Sequence, residues 1–188
     1  MELHRKPHRL QRRDVGHQAH FYTFSCFRRQ TFLERPRCRQ WLIDALGRAI
    51  ELHDLSLWAW VIMPEHVHVI VQPRQVPYAG GRVLKSIKQP VAQLAVGYVR
   101  AHAPAFLPRM LDAQPNGRRT HRFWQRGAGY DRNLFSVREI WEKIKYIHEN
   151  PMTRGLVAKP TDYYWSSAQN FAGMRHGPLP FDFASIPK

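Results

Sequence analysis

The stretch MPEHVHVIV, residues 63–71, carries two histidines separated by one valine. On a strand, alternate residues share a face, so His66 and His68 project together while Val67, Val69 and Val71 face a core. Their backbones stand about 7 Å apart by strand rise. That span lets two imidazole nitrogens converge on one cation. The next residue on that face, Ile70, is apolar, which counts against a histidine-triad hydrolase. No His-Glu-x-x-His pattern exists for a zinc peptidase. Cys26 and Cys38 form no Cys-x-x-Cys pair, which argues against a cysteine zinc site or a disulfide framework. A third ligand and a nucleophile must come from elsewhere, and Glu65 in the preceding turn is one candidate ligand.

SVREIWEKIKYIHENP, residues 136–151, reads as a helix. Ser136 is a plausible N-cap with Glu139 at the capping-box position, and Pro151 and Gly155 end it. Val137, Ile140, Trp141, Ile144 and Ile147 form its core stripe. Tyr146 falls roughly opposite that stripe, and Asn150 is adjacent to it at i+4. A phenol beside an amide oxygen resembles half of a metal-assisted nucleophilic site. A hard divalent cation on two histidines and an amide would keep positions open for phosphate oxygens.

Several elements must position these groups. HFYTFSCFR (20–28) reads as a first strand, followed by an amphipathic helix over 36–53. Residues 55–63 and 66–72 form a hairpin through Pro64-Glu65. Residues 74–81 form a loop. A second helix covers 82–101, with Pro90 as a kink and Arg82, Lys85 and Lys88 on its early turns. Residues 103–120 form a loop, and 121–135 a strand with an irregular turn. The order predicts an α+β fold with helices on an antiparallel sheet, close to the ferredoxin-like pattern. The domain division is a basic flexible arm over 1–19, a catalytic domain over 20–159, and an extension packed on it over 160–188.

The 188 residues hold 29 Lys and Arg against 14 acids, a net charge of +15, which favours a polyanionic partner. No apolar run approaches the ~20 residues of a membrane span. The basic N-terminus lacks the apolar segment of a signal peptide, and a cytoplasmic, nucleoid-associated location is expected. No Walker-type phosphate loop appears, and no small-molecule cofactor is expected.

MPEHVHVIV resembles the His-hydrophobic-His motif of single-tyrosine (HUH) transposases. FWQRGAGYDRNL (123–134), IKYIHENPMTRGLV (144–157) and YYWSSAQNF (163–171) follow in the order of the REP-associated tyrosine transposase branch. The resemblance covers residues 20 to 171. It implies that His66 and His68 are metal ligands, that Tyr146 is the nucleophile, and that Asn150 stands at the third-ligand position, where relatives often carry glutamine. It implies Mg²⁺ or Mn²⁺, a single-stranded or hairpin DNA partner, and a 5′-phosphotyrosine intermediate. Candidate phosphate contacts are Lys85, Lys88, Arg126, Arg132 and the arm residues Arg5, Lys6, Arg12 and Arg13. Trp124 and Phe123 are candidates for base stacking. The C-terminal segment favours a monomer over a homodimer. The competing readings are a non-catalytic hairpin DNA- or RNA-binding protein, an HUH relaxase or replication initiator, and a phosphoesterase of small nucleotides.

Overall fold

Alternating aromatic and small residues in AHFYTFS form β1 (Ala19–Ser25). The computed structural model describes residues 16–127, 129–174, 178–179 and 181–188. Arg5, Lys6, Arg12 and Arg13 lie outside them. The chain continues through α1 (Pro36–Leu52), β2 (Leu55–Ile62), β3 (His66–Pro73) and α2 (Gly80–His102). Then come α3 (Leu107–Met110), β4 (Leu111–Ala113), β5 (Arg119–His121), β6 (Tyr130–Leu134), α4 (Val137–Thr153) and α5 (Ala168–Phe171).

The main sheet runs β2-β3-β1-β6, antiparallel throughout. The β1-α1-β2 connection crosses over β3, and the β3-α2 arm crosses over β1 to reach β6. These two interleaved crossovers make the ferredoxin-like order. The 103–120 segment is more than the expected loop: β4 and β5 pair there as a small hairpin.

The sheet is buried on both faces. Val67, Val69 and Val71 pack with Leu42, Leu46 and Ala49 of α1 and Val83, Ile87 and Val91 of α2. This is the expected valine core. The opposite face is a second core, where Phe21, Trp58, Ala59, Val61 and Ile70 meet Ile140, Ile144 and Ile147 of α4. The histidine face of β3 therefore lies under a helix. A bulge between Leu57 and Ala59 shifts the parity of β2, so Leu57, Trp60 and Ile62 all reach the first core.

Residues after α4 close the free edge of β2. Ile62 N donates to Trp165 O at 2.8 Å, Ser167 N to Trp60 O at 3.0 Å, and the Tyr163 hydroxyl to Ile62 O at 2.9 Å. An exposed row of strand amides is thereby satisfied.

Gly129 has φ +83, and a Cβ there would stand 2.2 Å from the backbone oxygen of Thr23. Gly129→Ala is expected to destabilise the fold by at least about 1–3 kcal/mol, the cost of backbone strain alone. The midpoint of denaturant unfolding measures this, and an unchanged midpoint contradicts the described packing.

Candidate active site

Register brings the first pieces together. β1 pairs with β3 so that Thr23 faces His68 and Ser25 faces His66. The Thr23 hydroxyl lies 2.7 Å from His68 Nδ1. Glu65 Oε1 lies 3.0 Å from His66 Nδ1. With their outer nitrogens held, the two Nε2 atoms turn toward each other, 3.0 Å apart. Both rings are buried.

The hydrogen-bond roles follow from what each group can do. An ionised Glu65 only accepts, so His66 Nδ1–H donates to it and Nε2 keeps a lone pair. Two lone pairs cannot face each other at 3.0 Å without a positive centre, a shared proton or a cation, between them. With a shared proton, His68 Nε2–H donates to His66 and the Thr23 hydroxyl donates to His68 Nδ1. A cation requires the other neutral tautomer of His68, whose Nδ1–H donates to Thr23. Thr23 accommodates both because a hydroxyl rotates.

α4 brings the remaining groups. Ser136 caps it by accepting from Glu139 N at 3.2 Å, and Glu139 Oε2 accepts from Phe135 N at 2.9 Å, the expected capping box. The helix runs through Pro151 to Thr153, two residues past the expected end. It stops at Gly155, φ +69, where Gly155 N reaches Met152 O and Leu156 N reaches Pro151 O. Ile140, Ile144 and Ile147 form the core stripe, but Val137 at its start is exposed.

Tyr146 does not point away from the fold as the helical wheel suggests. Its ring meets that of His68 at 5.3 Å and that of Phe21 at 6.2 Å, both edge-on, while the residue stays 44% exposed. It occupies a flank of α4 that faces Phe21 of β1 and His68 of β3. Arg154, two turns on, reaches Glu65 at 3.1 Å. Asn150 lies between them on the same flank. It is buried, and its Oδ1 has no hydrogen-bond partner.

The donors fit a divalent ion. Ligand nitrogens about 2.1 Å from a metal and at right angles to each other would stand about 3.0 Å apart. The orphan oxygen of Asn150 has the chemistry of a further donor beside the two imidazoles. Among the described residues, no group of three or more His, Cys, Asp or Glu could hold a metal. Glu65 Oε1 engages the far nitrogen of His66 and orients that ring.

A solved structure described as a REP-associated tyrosine transposase bound to a REP hairpin matches 95% of this chain with 95% of its own, at TM-score 0.66 and 19% identity. The fold is that of a REP-associated tyrosine transposase. A provisionally assigned transposase from Deinococcus radiodurans matches 74% of this chain and 95% of its own, at TM-score 0.43 and 18% identity. No family model matches, and no curated protein does.

Other residues read from the sequence lie apart from this cluster. Lys85 and Lys88 are on α2, across the sheet from the histidines, and Lys88 Nζ donates to Gly127 O at 2.8 Å. Arg126 pairs with Asp112 at 2.7 Å and Arg132 with Glu139 at 2.6 Å. Trp124 and Phe123 are buried, and Trp124 Nε1 donates to Lys88 O. Neither ring has a face open to a base, which corrects the stacking expectation. Sequence reasoning missed Thr23, Arg29, Lys143 and Arg154. Period-2 alternation in HFYTFS gave a signal for Thr23 alone.

Burial governs the charges here. It lowers His66 against the opposing pull of Glu65. It pushes His68 down to about 3, helped by His66, Lys143 and Arg29. It takes His148 to about 4. Burial would raise Glu65, but His66, a backbone N–H and Arg154 outweigh it and hold the carboxyl below its usual range. At neutral pH the histidines are neutral, the state a metal requires.

Two predictions arise. Glu65→Gln and Thr23→Val should each weaken Mn²⁺ binding about 10–100-fold. Calorimetry checks this, and unchanged affinity removes the supporting roles. The metal-free protein should also lose stability as pH falls from about 6.5 toward about 4. There the unfolded histidines bind protons that folded His68 and His148 refuse, so stability rises with pH. Melting in chelator between pH 7 and 5 tests this, and a melting temperature that climbs on acidification contradicts it.

Proposed function

We propose that this chain is a metal-dependent single-strand DNA transposase that cleaves and rejoins DNA beside hairpin, REP-like sequences through a 5′-phosphotyrosine. The observation that carries the reading is Tyr146 packed edge-on against His68, whose Nε2 converges with that of His66. In the structural relative, the bound molecule is a REP hairpin. The +15 charge suits such a partner. The proposal takes residues 20–159 as the catalytic domain, 160–188 as its covering and 1–19 as a basic arm.

Tyr146 supplies the nucleophile from a rigid helix. Its oxygen attacks the scissile phosphorus as the P–O3′ bond breaks, leaving a 5′-phosphotyrosine and a free 3′-OH. A bound Mg²⁺ or Mn²⁺ would polarise the phosphate. His66, His68 and Asn150 would hold it, with Glu65 and Thr23 fixing the rings. Glu65 is paired with Arg29 at 3.4 Å and Arg154 at 3.1 Å, so its charge is compensated where the DNA would lie. A second strand's 3′-OH then reverses the attack and joins, so no nucleotide triphosphate is consumed. Lys85, Lys88, Arg126 and Arg132 are proposed phosphate contacts at the periphery.

The test is digestion of the protein–DNA adduct followed by mass spectrometry. The expected nucleotide lies on Tyr146. An adduct on another residue overturns the site, and tight hairpin binding with no adduct in Mn²⁺ favours the non-catalytic reading.

A further inference from the structure

α4 and its C-cap carry several cations, and most are neutralised by an acid. Arg138 pairs with Glu142 at 2.8 Å, Lys145 with Glu149 at 3.8 Å, and Arg154 with Glu65 at 3.1 Å. Lys143 differs. Among the described residues, no carboxylate lies within ion-pair distance of it. Its Nζ instead sits 5.3 Å from the centre of the Tyr146 ring and 5.6 Å from that of Phe21. The rings hold the ammonium in place but leave its charge uncancelled. Three residues before Tyr146, it shares the flank of α4 that faces β1 and β3.

We propose that Lys143 is a further catalytic residue, a fixed ammonium that binds a non-bridging oxygen of the scissile phosphate as Tyr146 attacks. This rests on the transposase reading above. Among the described residues, Lys143 is the cation that packs on the Tyr146 ring. Arg29 and Arg154 are both engaged with Glu65. Lys143 is the cation beside the phenol that no acid has claimed.

In the step itself, the bond from Tyr146 Oη to phosphorus forms while the bond from phosphorus to O3′ breaks. The phenolic proton passes to water, and the departing 3′ oxygen takes one from water. Lys143 stays protonated throughout. It stabilises the charge that builds on the equatorial oxygens, as preorganised donors do in other phosphoryl and acyl transfers.

The experiment compares wild type, Lys143→Gln, Lys143→Arg and Lys145→Gln on two oligonucleotides. One has an ordinary scissile phosphodiester, the other a methylphosphonate that lacks the negative oxygen. Lys143→Gln should slow adduct formation about 100-fold on the phosphodiester, the size of one lost oxyanion contact. On the methylphosphonate its effect should shrink to less than about fivefold, because the coupled partner is gone. Lys143→Arg should keep most of the rate, and Lys145→Gln should match wild type. Independently of catalysis, Lys143→Gln should reduce the salt dependence of phosphodiester binding in chelator by about one contact. Equal slowing on both substrates, or none on either, overturns the role of Lys143 while leaving the transposase reading intact. A wild type that forms no adduct overturns both.

Discussion

Tyr146→Phe is expected to bind hairpin DNA as wild type does and to form no covalent adduct, a loss of at least about 10³-fold in cleavage. The substitution removes one oxygen and keeps the ring. The contacts to His68 at 5.3 Å and Phe21 at 6.2 Å survive in a phenylalanine. The residue is 44% exposed, so stability should change by no more than about 0.5 kcal/mol. Binding measured by mobility shift separates recognition from chemistry. Denaturing gels read the covalent product. An adduct that survives in the phenylalanine variant removes Tyr146 from the reaction.

His66→Ala should abolish Mn²⁺-dependent cleavage and weaken Mn²⁺ binding by more than the ~10–100-fold expected of a supporting residue. His66 is a cleaner target than His68. Truncating His68 would also remove the ring against which Tyr146 and Phe21 pack, so positioning and ligation would fail together. Truncating His66 leaves Glu65 with Arg29 and Arg154, so no buried carboxylate is stranded. Calorimetry with Mn²⁺ and a single-turnover cleavage assay check the two halves of the prediction. Cleavage at the wild-type rate would make the histidines structural.

The architecture was legible because its signals are local and periodic. Alternation in VHVIV separated the valine core from the histidine face, and the Ser136–Glu139 pair announced the start of α4. Order along the chain then pointed to the ferredoxin-like sheet. What escaped was decided by pairing between distant segments. Nothing in the helical wheel of α4 says that its Tyr146 flank faces Phe21 of β1, because a wheel knows only its own stripe. The second core under that helix hid for the same reason: Ile70 shares a face with the histidines, and only the placement of α4 shows that it is buried. Glu65 read as a ligand candidate from its neighbourhood, yet it turns to the far nitrogen of His66, where two arginines from separate elements hold it. Trp124 read as a stacking platform from its type, but its indole N–H is committed to Lys88 O inside the fold. Asn150 was placed by spacing from Tyr146, and its orphan oxygen is visible only in three dimensions.

One labelling experiment tests the central claim most directly. A hairpin-bearing single strand is labelled at its 5′ end in one sample and at its 3′ end in another, then incubated with the protein and Mn²⁺ and run on a denaturing gel. A 5′-phosphotyrosine predicts that the 3′ label travels with the protein while the 5′ label leaves on a shorter strand ending in a free 3′-OH. Retention of the 5′ label, or no protein-linked label in either sample, contradicts the account.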